Sequence, residues 1–211
     1  FQLNYDLPFS KFPFFEFMRA NYTYSGDFDY QRGSQTLLQL AHQDINTLQN
    51  GNTHNLTANF TFEQLYRYLG VKPTPRGEKT SVGKSLMTML KTAGVNYSVT
   101  NARTIPGYTQ QIGFLGTLKP SAGFMFGDQT DLRYEMAKKG YLTEFADFND
   151  QYISSKEKQL IITANLQPIP DLQINLKANR QYTENYTETF EVRNFVYNKL
   201  VGNQVGSFNI S

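Results

Sequence analysis

The chain has 211 residues, with 20 Lys and Arg against 18 Asp and Glu, a net charge of +2, no Cys and no Trp. That length permits one large all-β domain or two ordinary ones, the lack of Cys excludes a disulfide scaffold and any thiolate site, and the near-neutral charge carries no polybasic footprint for nucleic acid. No apolar run approaches the ~20 residues of a membrane helix, whereas a membrane β-barrel interleaves apolar with polar residues and stays open at a mean hydropathy of −0.50.

Strict period-two alternation is the dominant pattern. Phe1, Leu3, Tyr5 and Leu7 alternate with Gln2, Asn4 and Asp6, so a strand is predicted over 1–7, already under way at the first residue. A proline turn at 8–13 leads to a strand over 14–30, where Met18, Ala20, Tyr22, Tyr24, Phe28 and Tyr30 share one face and Arg19, Asn21, Thr23, Ser25, Asp27 and Asp29 the other. That run exceeds the ~9–11 residues that cross a bilayer at a tilt. The polar stretch 31–52 reads as a long loop. Leu56, Ala58, Phe60 and Phe62 then alternate with Asn55, Thr57, Asn59 and Thr61, giving a strand over 53–62; a helix is expected near 81–91, and Val95, Tyr97 and Val99 mark a strand over 93–101. An excursion over 102–155 follows, with a helix near 130–139 stopped by Gly140. Strands over 157–166 and 171–192 flank the proline turn at 167–171, and a weaker strand closes the chain at 205–210. The organisation expected is therefore barrel strands with a helical insert over 1–101, a cap over 102–155, and a hairpin with a final strand over 156–211.

Several motifs invite a chemical reading and fail it. Glu78-Lys-Thr-Ser-Val-Gly83-Lys84-Ser85 misses the phosphate loop by one residue, because Glu78 stands where the first glycine is needed and Gly77 comes too early. His42 and His54 fall in no metal or nucleophile pattern. Glu144, Asp147 and Asp150 form the best acidic cluster, yet their spacing matches no calcium loop. Six N-x-[ST] sequons follow from 18 Asn and 20 Thr. No catalytic residue, metal site or cofactor is expected, and the chain is not read as an enzyme.

The chemistry of the two faces is more informative. A soluble sandwich exposes Lys and Glu on its wet faces; here the polar faces are Asn, Thr, Gln and Ser, and the apolar faces end in Tyr and Phe, as the two interfaces of a bilayer select. Short turns at 8–13 and 167–171 against long loops at 31–52 and 102–155 give the asymmetry of such barrels. The fold class expected is an all-β membrane protein: antiparallel strands forming part of a transmembrane β-barrel, with short helices in long loops. Met18, Tyr22, Leu56, Phe60, Ile162, Ile174 and Leu176 would face lipid, and Asn21, Thr57, Asn59, Thr163, Asn165 and Asn175 would line a hydrated lumen.

Thr104-Ile-Pro-Gly-Tyr-Thr-Gln-Gln-Ile-Gly-Phe-Leu-Gly116, then Asp131-Leu-Arg-Tyr-Glu-Met-Ala-Lys-Lys-Gly-Tyr-Leu-Thr143, then the stretch 172–185, together resemble the SprA family. The match rests on Pro106, Gly107, Gly113, Phe114, Gly116, the Gly140 stop and the Pro170-Asp171-Leu172 turn into Ala178-Asn179-Arg180, and runs over about 50–192. Family members often carry Leu-Pro-Gly-Phe and a second proline where this chain has Ile105-Pro-Gly-Tyr108 and Gln110. The resemblance implies an outer-membrane translocon of the type 9 secretion system in Bacteroidota, also required for gliding motility, in which a very large single-chain barrel passes folded cargo. It further implies a PorV-type partner barrel, a periplasmic plug protein and secreted cargo bearing a C-terminal signal, with membrane lipid around the wall. The chain would then be a fragment of a longer protein in the bacterial outer membrane, with Pro106, Gly107, Gly113, Phe114 and Gly116 in a loop or gate over the outer mouth. Two alternatives stay open: a TonB-dependent or porin-type nutrient transporter, and a soluble β-sandwich adhesin or carbohydrate-binding module using Tyr182 and Tyr186 as a sugar-stacking surface.

Overall fold

The computed structural model describes residues 1–71, 83, 87–112, 120–169 and 171–211. Seven strands, β1 (Gln2–Leu7), β2 (Met18–Gln31), β3 (Asn46–Thr61), β4 (Leu90–Tyr108), β5 (Tyr152–Ile169), β6 (Leu172–Arg193) and β7 (Val196–Ile210), form one antiparallel sheet in sequence order. It is an open meander: among the described residues β1 and β7 are its two edges. Every strand predicted from the alternation is present, and among the described residues no further strand is found.

At one end the differences are small: the strand expected from 14 begins at Met18, the one expected from 93 begins at Leu90 and the one expected to stop at 166 runs to Ile169. The larger differences lie at the other end. The strands expected at 53–62, 93–101, 157–166 and 205–210 extend to 46, 108, 152 and 196 respectively, so the connections there are 32–45, 109–151 and the two residues 194–195. We call this the upper end. The first of these connections holds a helix, α1 (Gln35–Ala41), that the sequence reading did not predict. The β6–β7 connection is a tight hairpin whose Asn194 and Phe195 both take positive φ, 51° and 63°, the geometry that a two-residue turn needs to match strand twist. At the lower end β1 joins β2 through two short 3-10 turns (Pro8–Lys11 and Pro13–Phe15), and a short helix, α2 (Phe62–Tyr68), follows β3. The helix expected near 81–91 lies largely outside the described residues, and Leu90 and Lys91 already belong to β4.

The predicted helix near 130–139 is α4 (Arg133–Lys138), preceded by α3 (Ala122–Met125). Gly140 ends α4 with φ +69°, the left-handed stop expected of it. Pro106 and Gly107 sit inside β4, and Ile105 and Tyr108 beside them are buried, so these two are strand rather than loop residues. Gly113, Phe114, Gly116 and the 78–85 phosphate-loop look-alike, apart from Gly83, lie outside the described residues.

Among the described residues the buried core lies at the upper end. Leu48, Ile105, Tyr108, Tyr152, Phe190, Val192 and Tyr197 from the sheet pack against Phe124, Met136, Ala137 and Leu142 from the 109–151 excursion. Each fully buried aliphatic or aromatic side chain there contributes about 1.5–3 kcal/mol, enough to hold a segment of little regular structure against the sheet.

Candidate functional site: a two-faced wall and its cap

Cross-strand register decides which residues share a face, since directly opposed residues point the same way and neighbours along a strand point apart. Met18 pairs with Phe60, Tyr22 with Leu56, Leu56 with Tyr97 and Tyr97 with Leu160; Ile162 pairs with Ala178, Ala164 with Leu176 and Leu166 with Ile174. All seven residues expected to face lipid therefore lie on one face. The six expected to line a lumen lie on the other: Asn21 pairs with Thr57, Asn59 with Gly94, Gly94 with Thr163, and Asn165 with Asn175.

The polar face is a ladder of amides and hydroxyls bonded across strands. Asn21 donates to the Asp6 carboxylate at 2.7 Å, Asn96 to the Thr57 hydroxyl at 2.9 Å and Asn165 to the Asn175 carbonyl at 2.6 Å. Gly94 keeps one row open: a Cβ there would meet the Thr163 hydroxyl at 2.8 Å.

The apolar face divides at mid-height. In its lower half Leu3, Tyr5, Leu56, Tyr97, Ile162, Ile174 and Leu176 are all exposed, and below them two groups of rings, Phe9, Phe14, Phe15 and Tyr68 and then Phe17, Phe60, Phe62 and Tyr66, make contacts 5.2–6.3 Å apart between centroids. In its upper half residues 122–142 of the excursion lie on the same face. Asn50 donates to the Phe124 and Asp128 carbonyls at 3.0 and 2.8 Å, Asn52 to the Gly127 carbonyl at 2.7 Å, and Tyr24 to the Phe126 carbonyl at 2.5 Å.

A buried ion cluster fastens the other side of this cap. Arg133 at the start of α4 bonds Asp131 through Nε and Nη2 at 2.8 and 2.7 Å and reaches Glu188 of β6 through Nη1 at 2.9 Å. Its guanidinium lies 3.8 Å from the centre of the Tyr152 ring. Glu188 has no exposed side-chain surface and accepts from Tyr186 at 2.6 Å and Tyr197 at 2.8 Å, with the Lys199 ammonium 3.4 Å away. Burial alone would raise both carboxyls; the bonds from Tyr186, Tyr197 and Arg133 hold Glu188 below the usual carboxylate range, and Arg133 does the same for Asp131.

The sequence reading missed this cluster and the Asn50 and Asn52 clamp. The period-two spacing of those asparagines was the available sign, but it fell in a stretch assigned to a loop. The other candidates stay apart. His42 ends α1 with φ 53°, His54 pairs with Tyr22 at 2.7 Å in the middle of β3, and Glu144 accepts the Phe195 amide at 2.8 Å. Of the two proposed sugar-stacking rings, Tyr186 is covered on one side by Lys199 at 4.7 Å. Among the described residues no group of three or more acidic or histidine side chains could hold a metal ion.

What the arrangement can do follows from its two faces: one wets a wide surface without dense charge, the other is bare hydrocarbon and aromatic rings beneath a docked cap. No family model and no curated protein matches the chain.

Proposed function

We propose that this chain is an arc of an outer-membrane β-barrel that conducts proteins, a translocon wall of the SprA kind, with the apolar face in lipid and the Asn and Thr face toward the lumen. The observation that carries the membrane reading is the shape of the bare apolar band. The unbroken apolar run from the lower end stops at Tyr24 in β2, at Leu56 in β3 below His54, at Val99 in β4, at Leu160 in β5 and at Ala178 in β6, below Lys158 and Arg180, while in the edge strand β7 Phe208 stands again in the row of Tyr24. The register places Tyr24, Val99 and Lys158 in one hydrogen-bonded row, so the boundary drops two rows between β2 and β6. Two rows are ~13 Å along the strands and four strand spacings ~19 Å across them, a slope of about 35°, the tilt that strands take in a transmembrane barrel. The lower boundary drops as well, from Met18 and Phe60 to Leu166 and Leu172, so the band holds its width, 18–24 in β2, 93–99 in β4, 160–166 in β5 and 172–178 in β6. A band level with a bilayer on tilted strands has this form.

The lower aromatic rings then lie at one interface and the cap above the other. The two open edges are where further strands of a larger barrel would pair, since unpaired edges are not tolerated in lipid. Because the cap rests on the face that carries the apolar band, it covers the outside of the wall above the membrane. An amide and hydroxyl lumen hydrogen-bonds water while offering passing protein neither apolar surface nor dense charge. The translocon assignment within the barrel class rests on the 104–116 and 131–143 resemblance; the PorV-type partner, the plug and the signal-bearing cargo belong to that assignment.

Single cysteines at Ile174 and Asn175, probed in the native host with lipophilic and water-soluble maleimides, test the membrane reading. Ile174→Cys should take the lipophilic reagent and Asn175→Cys the soluble one; equal reaction of both with the soluble reagent overturns it. Translocon is separated from transporter by cargo secretion when Asn59→Trp and Thr163→Trp narrow the lumen. Secretion of folded cargo should fall while small-solute uptake persists, and the reverse result favours the transporter.

A further inference from the structure

The upper boundary of the apolar band carries cations that form no ion pair among the described residues. Lys156 and Lys158 point to the apolar face of β5, and Arg180 to the same face of β6, one row below Lys158. With Tyr97, Tyr182 and Glu184 they line a cavity of about 360 Å³ floored by Leu160. Among the described residues none of the three cations is in an ion pair, whereas Arg133 higher on the face is held by two carboxylates. The Lys158 ammonium stands 6.0 Å from the centre of the Tyr182 ring and the Arg180 guanidinium 5.0 Å from that of Phe208, so both charged groups rest over aromatic rings, whose attraction is weak and leaves the net charge in place. Glu184, the one carboxylate in the lining, already accepts from Tyr182 at 3.0 Å and from Gln204. Three cations and one carboxylate leave a surplus of two positive charges.

We propose that this cavity holds the phosphate monoester of a lipid headgroup in the adjoining leaflet. The inference rests on the membrane reading above. If acyl chains cover 160–166 and 172–178, headgroup phosphates lie at the height of Lys158 and Arg180, where basic side chains meet anionic lipid. A phosphate monoester carries about −1.5 to −2 at neutral pH and matches the surplus charge. A choline phosphodiester brings its own cation and leaves most of that surplus unanswered. Arg180 supplies the planar donor pair that phosphate accepts in bidentate fashion, and the two lysines supply flexible point charges.

The full-length protein in nanodiscs of equimolar phosphatidylcholine and phosphatidic acid should retain phosphatidic acid over phosphatidylcholine by roughly tenfold or more in native mass spectrometry. The triple variant Lys156→Gln, Lys158→Gln, Arg180→Gln should lose that preference, and Lys177→Gln on the opposite face should keep it. No preference in the wild type, full retention by the triple variant, equal loss in Lys177→Gln, or displacement by inorganic phosphate as effective as by phosphatidic acid would each overturn the site. An Ile162→Cys reporter separates the two levels. Its protection from water-soluble maleimide with no phosphate preference removes the headgroup site alone, whereas its free reaction removes the membrane reading beneath it.

Discussion

Glu188 shows how one carboxylate can carry the docking of a whole segment. It is fully buried, and its stability there depends on Arg133 arriving from the excursion; breaking such a pair by removing one partner leaves an uncompensated charge and costs about 3–5 kcal/mol. Glu188→Gln should therefore loosen the cap, seen as rapid proteolysis within 120–150 while the strands stay protected. Arg133→Met strands Glu188 and Asp131 together and should cost more than Glu188→Gln, which leaves Arg133 its Asp131 partner, as a thermal unfolding series would show. Acid should act on the same contact. Asp131 and Glu188 titrate below their ordinary values of 3.8 and 4.5, so they stabilise the docked cap above those values, and that contribution is lost as pH falls through the depressed folded ones. Proteolysis of 120–150 should be flat from neutral pH down to about those ordinary values and rise steeply below them, and Glu188→Gln should flatten the rise.

Close backbone approach at the element scale explains what the sequence could and could not disclose. The cap crosses β2 at Gly26, where a Cβ would run into the Phe126 carbonyl oxygen, backbone that cannot swing aside. Gly26→Ala should displace 122–128 and cost about 1–3 kcal/mol, read as loss of protection of the Phe126 and Gly127 amides in hydrogen exchange. Gly206→Ala in β7, whose nearest neighbour would be the Thr183 carbonyl oxygen at an ordinary 3.6 Å, is the control and should change little. The same contact accounts for the strand ends that alternation failed to find. Below the cap each strand carries one apolar and one polar face, and period two is plain from Met18 to Tyr24 or Leu160 to Leu166. Above that height the covered face carries Asn50, Asn52, Arg103 and Glu188, because its partner is polypeptide with carbonyls and charges to satisfy. Both faces then read as polar and the strand looks like loop. Seven strands and the residues that share each face were legible; the upper extensions, the Arg133 cluster and the short helices α1 and α2 were not, the first two because they depend on partners distant in sequence.

The slanted band gives the whole molecule a test that no single strand supplies. Ala58 in β3 and Ala178 in β6 belong to one hydrogen-bonded row, linked through Val95 and Ile162, and both point to the apolar face. In a soluble sandwich their environments would be set by whatever sheet covers them, with no reason to follow height along a tilted axis. In a bilayer their depths differ, because Ala178 is the last apolar residue below Arg180 whereas Ala58 has Leu56 above it and Phe60 below. Arginine on the lipid face of a barrel costs about 2–4 kcal/mol at the midplane and about 0–1 near the interface. Ala58→Arg should thus impair insertion of the full-length protein far more than Ala178→Arg, measured as folded yield in the outer membrane. Thr57→Arg, next to Ala58 but on the amide face, should insert as the wild type does. Equal penalties at Ala58 and Ala178 would mean that the band follows the rows of the sheet rather than the plane of a membrane, and the barrel reading would fall with it.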